Sequence, residues 1–587
     1  MPRPVVIANG RLFVGYDAAG RARELTWPMV GMPNHLVDRR IGWGVWADGS
    51  VRWLGDPGWE VTAEYEDGAM IASWRATDRE RGLELSMRDA VAPESDHWVK
   101  ELVLRDLTGR EREVALLATH DLALGQSDVG NTAFWSPEKG WLVHYRWSWS
   151  VGFRLDGEGE LEWACGIAGF DGMEGTWRDA EDGRLAGTPI AQGSVDSTMS
   201  LRMLLRPGGE ARAVWQAVFM DGPEDAAATE PASFRQVAEA RRETSGGSFD
   251  VSIACSLQDD GGAWMAAIDS DILETNRATY SYCWPRDGAI AAHLMVEMGR
   301  EYEARRFLEF CERIARADGP PFLQKYTANG SVGASWHPWV CDGAPCVPWQ
   351  QDETALVLMA ASAYSTRFGG FESLVERCAS YLASSVDESG LPLPSWDMWE
   401  ERHGVHTATA CVTARALHDA GTLFESRWDG AAERMLEAVE QRLYLVEEGR
   451  YARSLGDPAP DSALLFGLRF VPSLAHTEET VRKIGEALAV RTSVGGVARY
   501  SGDYYFRVTD EAPGNPWVIC TIWWETWLER LGDEDARLRL EAWLQRAGGG
   551  TGILPEQLHP LHGTPLSVSP LAWSHIEAAR FRAGLSK

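Results

Sequence analysis

The chain has 587 residues, with 45% hydrophobic and 24% charged residues and a formal net charge of −30. That is an ordinary globular composition, long enough for roughly two to four domains. So negative a balance excludes a nucleic-acid backbone or an anionic membrane surface as partner, and a neutral ligand is the simpler expectation. The opening MPRPVVIANGRLFVGY has no apolar run of signal length, and no stretch could span a bilayer, so a cytoplasmic protein is expected. The nine cysteines are scattered, Cys341 and Cys346 being the closest pair, and read as buried thiols rather than disulfides or a zinc site.

Residues 1–225 read as β-structure. Asp48-Gly49, Asp67-Gly68, Asp156-Gly157 and Asp182-Gly183 are hairpin signals, and after the second of them Met70, Ala72 and Trp74 alternate with Ile71, Ser73 and Arg75. Many short strands in one block predict an antiparallel β-sandwich. Residues 226–247 read as a linker carrying a polar helix, PASFRQVAEARRETS.

From residue 248 the period is helical. A short segment near 250–258 and helices after Asp287 and over 301–316, 353–366, 371–386, 405–424, 429–444, 461–470, 477–490, 516–531, 532–547 and 570–584 make about twelve. Ser569 can cap the last of them and Pro570 suits its first position. Segments such as TALVLMAASAY are apolar nearly all round, which implies burial between other helices. Paired helices around a centre predict an all-α domain, an (α/α)6 toroid over 248–587, with long loops gathered at one end to form a site.

Four of those loops carry chemistry. Tyr280-Ser-Tyr282-Cys-Trp284-Pro-Arg286-Asp287 sets a donor fork beside an acceptor, which fits adjacent sugar hydroxyls or a simple helix cap. In Trp396-Asp397-Met-Trp399-Glu400-Glu401-Arg402 a carboxyl lies among indoles, where lost solvation raises its pKa and suits it to general acid work; an acidic run before a helix also complements the helix dipole. The third is Arg499-Tyr500-Ser-Gly502-Asp503-Tyr504-Tyr505 with Gly514-Asn515-Pro516-Trp517, and the fourth is Gly550-Thr-Gly552-Ile-Leu554-Pro555-Glu556-Gln557. The 28 tryptophans fit pyranose stacking and core filling equally well.

Together the segments YSYCWPRD, FLQKYTANGS, WQQDETALVL, WDMWEERHGVHT, RYSGDYYF, GNPWVICTIWW and LPEQ with PLAWSHIEA resemble family 15 of the glycoside hydrolases, which holds glucoamylases, glucodextranases and one class of trehalases. They follow the family's order over most of 255–587. The resemblance implies hydrolysis with inversion, Glu400 as general acid and Glu556 as the base that activates water. It implies that Arg286 and Asp287 hold the terminal glucose, with Tyr280 beside the reacting carbon and Glu401 a substrate ligand. Arg499 and Trp517 match residues near the next sugar and Trp573 an aromatic behind the base; Trp284 and Trp399 complete the expected binding wall. Fungal members place a tryptophan before the segment matching Gln350-Gln351-Asp352. Here Trp339 and Trp349 are the nearest candidates and neither fits cleanly.

Inversion needs acid and base about 6.5–9.5 Å apart, which two distant loops can supply and the adjacent Glu400 and Glu401 cannot. No metal or organic cofactor is expected, because carboxyls suffice for the chemistry. The expected substrate is a neutral α-glucoside, a short malto-oligosaccharide ahead of trehalose or raw starch. The chain stops after the last toroid helix, with no room for a starch-binding module, and its Trp-Glu-Glu-Arg run follows the glucoamylase pattern. A trehalase, an α-1,6-preferring glucosidase and, more distantly, a non-catalytic carbohydrate-binding protein are the alternatives.

Overall fold

The structure, a computed structural model, describes residues 3–66, 68–168, 174–244, 247–276, 278–341 and 343–585. It divides into two compact units, Arg3–Ser256 and one beginning at Leu257.

The first unit is the expected antiparallel β-sandwich, two sheets of nine strands each. Strand Leu83–Val91 shows the logic: Leu83, Leu85 and Met87 are buried, while Glu84, Ser86 and Arg88 between them are not. The core is rich in indoles. Trp43, Trp98 and Trp215 meet edge to face, with ring centroids 4.7–5.9 Å apart. Many of the tryptophans are therefore filler, each edge meeting a neighbour's π face.

The Asp-Gly pairs divide in outcome. Asp48 and Gly49 both have positive φ, 53° and 85°, and turn Arg40–Ala47 into Ser50–Trp53, as a type I′ hairpin requires. Asp67 lies outside the described residues; the flanking strands Trp59–Tyr65 and Ala72–Asp78 pair antiparallel. Asp156-Gly157 is not a hairpin turn. It ends a strand of one sheet, and the chain crosses to the other sheet at Glu160–Ile167. Asp182-Gly183 closes a short 3-10 turn instead.

The helix expected in the connection is Phe234–Thr244, and it lays Phe234, Val237 and Ala238 on Ile71, Ala90 and Val99 of the sandwich. The segment expected near 250–258 is helix Phe249–Ser256, with the Phe249 ring 5.1 Å from that of Tyr65. The first unit thus runs well past the boundary expected at 225, because these helices cover apolar sheet surface.

The second unit is helical. In order it contains α1 (Pro285–Glu297), α2 (Glu301–Ile314), α3 (Gln351–Phe368), α4 (Glu372–Ser384), α5 (Thr407–Leu423), α6 (Asp429–Arg442), α7 (Ala463–Leu468), α8 (Thr477–Leu488), α9 (Val518–Arg530), α10 (Ala536–Gly548) and α11 (Ala572–Arg582). Helix α1 packs on α3, α3 on α5, α5 on α7, α7 on α9, α9 on α11, and α11 back on α1. Six odd-numbered helices thus close an inner ring, and each even-numbered one packs outside its predecessor. The sequence states this division. Helix α3 is buried nearly all round, while α2 buries only the stripe Ala304, Phe307, Leu308, Phe310 and Cys311.

Ser569 does not cap α11. Leu571 is the N-cap residue, and the N–H groups of Leu571 and Ala572 go to the carbonyls of Leu554 and Ala266. The backbone is satisfied without a capping side chain. Among the described residues no helix is long and apolar enough to cross a membrane. No cysteine forms a disulfide among the described residues, but Cys255, Cys341 and Cys346 are only partly buried.

Candidate active site

Every expected site residue lies on a segment that leads into an inner helix or in that helix's first turn. Arg286 and Asp287 open α1; Asp287 sits inside the first turn, and Trp284 is the N-cap. Ser395–Trp396 pairs with His403–Gly404, so Trp399, Glu400 and Glu401 ride the hairpin loop that leads to α5. Asp397 builds this loop by accepting from the backbone N–H groups of Glu401 and Arg402, at 2.8 and 3.0 Å. Glu400 at its apex has φ 66°, a left-handed conformation that costs a non-glycine residue energy.

A small sheet joins the later loops. Val497–Ala498, Pro516–Trp517, Gln557–Leu558 and Pro565–Leu566 form four short antiparallel strands. Trp517 pairs with Gln557, and the Val518 N–H donates to the Glu556 carbonyl at 3.1 Å. Residues far apart in sequence are thus set side by side.

All eleven expected site residues line one cavity of about 520 Å³: Tyr280, Trp284, Arg286, Asp287, Trp399, Glu400, Glu401, Arg499, Trp517, Glu556 and Trp573. Arg286 is its hub. Its guanidinium donates to Asp287 at 3.1 Å, to the Met398 carbonyl at 2.9 Å and, more distantly, to Oε1 of Glu400 at 3.5 Å. It also lies 5.2 Å from the centre of the Trp573 ring. Arg499 grips Asp503 through two donors at 2.7 and 2.8 Å and reaches Oε1 of Glu401 at 2.6 Å, with its charge 4.7 Å from the Trp517 ring. Bidentate clamps of this kind hold geometry as well as charge. Trp399 donates its indole N–H to Asp461 at 2.7 Å, and Trp573 donates to Glu577 at 3.2 Å. The indole N–H groups of Trp284 and Trp517 are buried and have no acceptor among the described residues.

Both central glutamates are buried, and burial raises both pKa values. For Glu400 the rise is opposed by Arg286, Lys325 and an amide donor, Gln324. Glu556 is pushed up to about 7, with the Ser567 hydroxyl and the Arg499 charge opposing. Its Oε1 accepts from the Tyr280 hydroxyl at 3.2 Å, while Oε2 is buried and receives no hydrogen bond of normal length among the described residues.

Some contributors escaped the sequence reading. Trp336, not Trp339 or Trp349, supplies the extra aromatic wall: it lines the cavity, with ring centres 5.9 Å from Tyr280 and 5.7 Å from Trp284. Trp339 is about half exposed, and Trp349 packs on Tyr381. Between Trp336 and α3 lies a ribbon, Val340–Cys341 with Ala344–Pro345. Tyr505 and Asn276 also line the cavity, and Gln324 holds Glu400. Tyr505 and Gln324 stood inside RYSGDYYF and FLQKYTANGS, but nothing local distinguished them from their neighbours.

The model of the glycosyl hydrolases family 15 matches residues 256–550, just over half of the chain. An uncharacterized glycosyl hydrolase of Methanocaldococcus jannaschii is 24% identical, over 97% of this chain and 96% of its own length. A probable glucoamylase of Schizosaccharomyces pombe is 26% identical over 42% of this chain and 60% of its own. The crystal structure of a bacterial glucoamylase complexed with acarbose matches with a TM-score of 0.79 at 17% identity, covering all of this chain and 94% of that one. The fold and the cavity thus belong to a glycoside hydrolase. More narrowly, the chain belongs to the glycosyl hydrolases family 15 and shares the fold of a bacterial glucoamylase.

Proposed function

We propose that the protein is an inverting, exo-acting α-glucosidase that releases β-glucose from the non-reducing ends of short malto-oligosaccharides and related α-glucosides. One observation carries this reading. Two buried glutamates from separate loops face one indole-walled cavity, and of the two it is Glu556 that keeps a buried oxygen without a hydrogen bond of normal length among the described residues. A free acceptor is what a nucleophilic water needs, so Glu556 is the base and Glu400, among Arg286, Gln324 and Trp399, is the acid. Protonated Glu400 gives its proton to the glycosidic oxygen as the bond breaks. Glu556 takes a proton from the water that attacks the anomeric carbon from the opposite face.

The other residues position the sugar. Arg286 and Asp287 bracket hydroxyls of the terminal glucose, and the free indole N–H groups of Trp284 and Trp517 donate to others. Glu401 and Arg499 define the next subsite. No metal or organic cofactor enters this chemistry. A neutral oligosaccharide suits a cavity of this kind, and the bacterial glucoamylase of the same fold was crystallised with acarbose. The protein is read as cytoplasmic.

Proton NMR of the first product from maltose, recorded before mutarotation, tests the mechanism. β-Glucose is expected; α-glucose as the initial product rejects it.

A further inference from the structure

The helical ring holds a second cavity, of about 200 Å³, lined mostly by residues of its inner helices. It shares no lining residue with the catalytic cavity. Its floor is apolar, with Ala289, Leu356 and Met359. Its walls carry four guanidiniums, of Arg415, Arg469, Arg530 and Arg580, against two carboxylates, of Glu297 and Glu577. In a chain of net charge −30 this is a local excess of positive charge.

The pairing within it is incomplete. Arg469 bonds Glu577 at 2.9 Å, Arg580 bonds Glu297, and Arg415 turns to Asp419 of its own helix at 2.7 Å. Arg530 makes no ion pair among the described residues; its guanidinium lies 5.1 Å from the Trp527 ring. Its pKa is lowered by burial and by the neighbouring charge of Arg469. Arg580 is buried, yet its Nε–H has no acceptor among the described residues, and the buried hydroxyl of Thr526 has no partner among them either.

Helix C-termini favour cations, and that accounts for Arg469 and Arg530 at the ends of α7 and α9. It does not account for Arg530 lining the same cavity as Arg469 without an ion pair, or for two buried polar groups unsatisfied among the described residues in one cavity wall. An oxyanion answers both. A carboxylate is satisfied by one guanidinium fork, whereas donors converging from α7, α9 and α11 suit the several oxygens of a phosphate group. Trp527 and Phe470 beside them offer flat apolar faces.

We propose that this second mouth of the ring binds a phosphate group, as inorganic phosphate or a sugar phosphate, through Arg469, Arg530, Arg580 and Thr526. Because the catalytic cavity is separate, a phosphate here does not attack the glycosidic bond.

Isothermal titration with inorganic phosphate and, separately, glucose 6-phosphate, at constant ionic strength against chloride, tests this. Saturable binding in the millimolar range or tighter is expected for the wild-type protein. Arg530→Gln, at an exposed position, should weaken it about tenfold without changing the melting temperature in chloride, and Arg415→Gln, whose guanidinium is held by Asp419, should weaken it less. Glu556→Gln should bind as the wild type does. Tighter binding of glucose 6-phosphate identifies a sugar phosphate as the ligand, and equal or tighter binding of phosphate identifies the free ion. The proposal is overturned if neither probe binds saturably, if Arg530→Gln binds unchanged, or if Glu556→Gln abolishes binding.

Discussion

The Tyr280 hydroxyl stands 3.2 Å from Oε1 of Glu556 and donates to it, which fixes the direction of a hydrogen-bond chain. Tyr280 has one proton to give, so the Tyr505 hydroxyl at 2.8 Å is the donor to Tyr280, and the Asn276 amide donates to Tyr505 at 3.1 Å. Each link stabilises the ionised form of Glu556. The Tyr280→Phe variant should therefore raise the Glu556 pKa further above about 7. A base must be ionised to work, so the acidic limb of kcat/KM should move to higher pH. Activity below neutrality should fall about tenfold, in line with a hydrogen bond to a charged group. Tyr505→Phe should act in the same direction and less. A uniform loss at every pH would mean that the tyrosines only pack.

Burial raises Glu556 to about 7 and raises Glu400 as well, so pKa order alone does not divide their roles. The leaving group does. Glu400→Gln and Glu556→Gln should each lose about 10²–10⁴-fold on maltose. On α-glucosyl fluoride, whose leaving group needs no proton, Glu400→Gln should recover most of its rate and Glu556→Gln little. The opposite pattern would exchange the two assignments.

Asp461 accepts from the indole of Trp399 at 2.7 Å and from the Ala463 N–H at 2.8 Å. Burial pushes its carboxyl up to about 7, against the bond from Trp399. An unfolded aspartate titrates near about 3.9. The folded state therefore keeps a proton that the unfolded chain loses, and this contribution to stability is full below about pH 4 and lost as pH rises to about 7. Glu556 and Asp352, raised to about 7 and about 6, act with the same sign. Asp461→Asn keeps the acceptor for Trp399 and removes the titration. Urea midpoints between pH 4 and 8 should fall less steeply for it than for the wild type; equal slopes would clear Asp461 of the effect.

Arg499 joins Glu401 and Asp503 beside Trp517. Lysine cannot make both bonds to Asp503 and reach Glu401. Arg499→Lys should raise KM for maltose about tenfold with a smaller change in kcat, since the second subsite binds rather than reacts. In a kcat/KM series on maltose, isomaltose, maltotriose, panose and trehalose, trehalose should be poorest. If it led, the catalytic pair would stand but the enzyme would be a trehalase.

The ring was legible in the sequence because inner and outer helices differ in kind: TALVLMAASAY has no polar face, and the helix with Phe307 and Cys311 has one. The cavity was legible because short motifs such as Trp399-Glu400-Glu401 carry their own chemistry. What stayed hidden depends on contacts across the chain. Asp156-Gly157 has the composition of a hairpin turn, and only sheet membership shows that the chain crosses there. Ser569 is a good cap by residue type, but the carbonyls of Leu554 and Ala266 had already taken the N–H groups at that helix start. Trp336 sits in a long connection before α3, and its neighbours in sequence do not say which way its ring points.

The closing contact of the inner ring, α11 on α1, joins its last helix in sequence to its first. The nascent chain presents Arg286, Glu400 and Arg499 long before it holds Glu556 and Trp573. On the proposed roles, a chain cut before residue 556 carries an acid with no base, so hydrolysis requires the last loop and last helix of the ring to be in place.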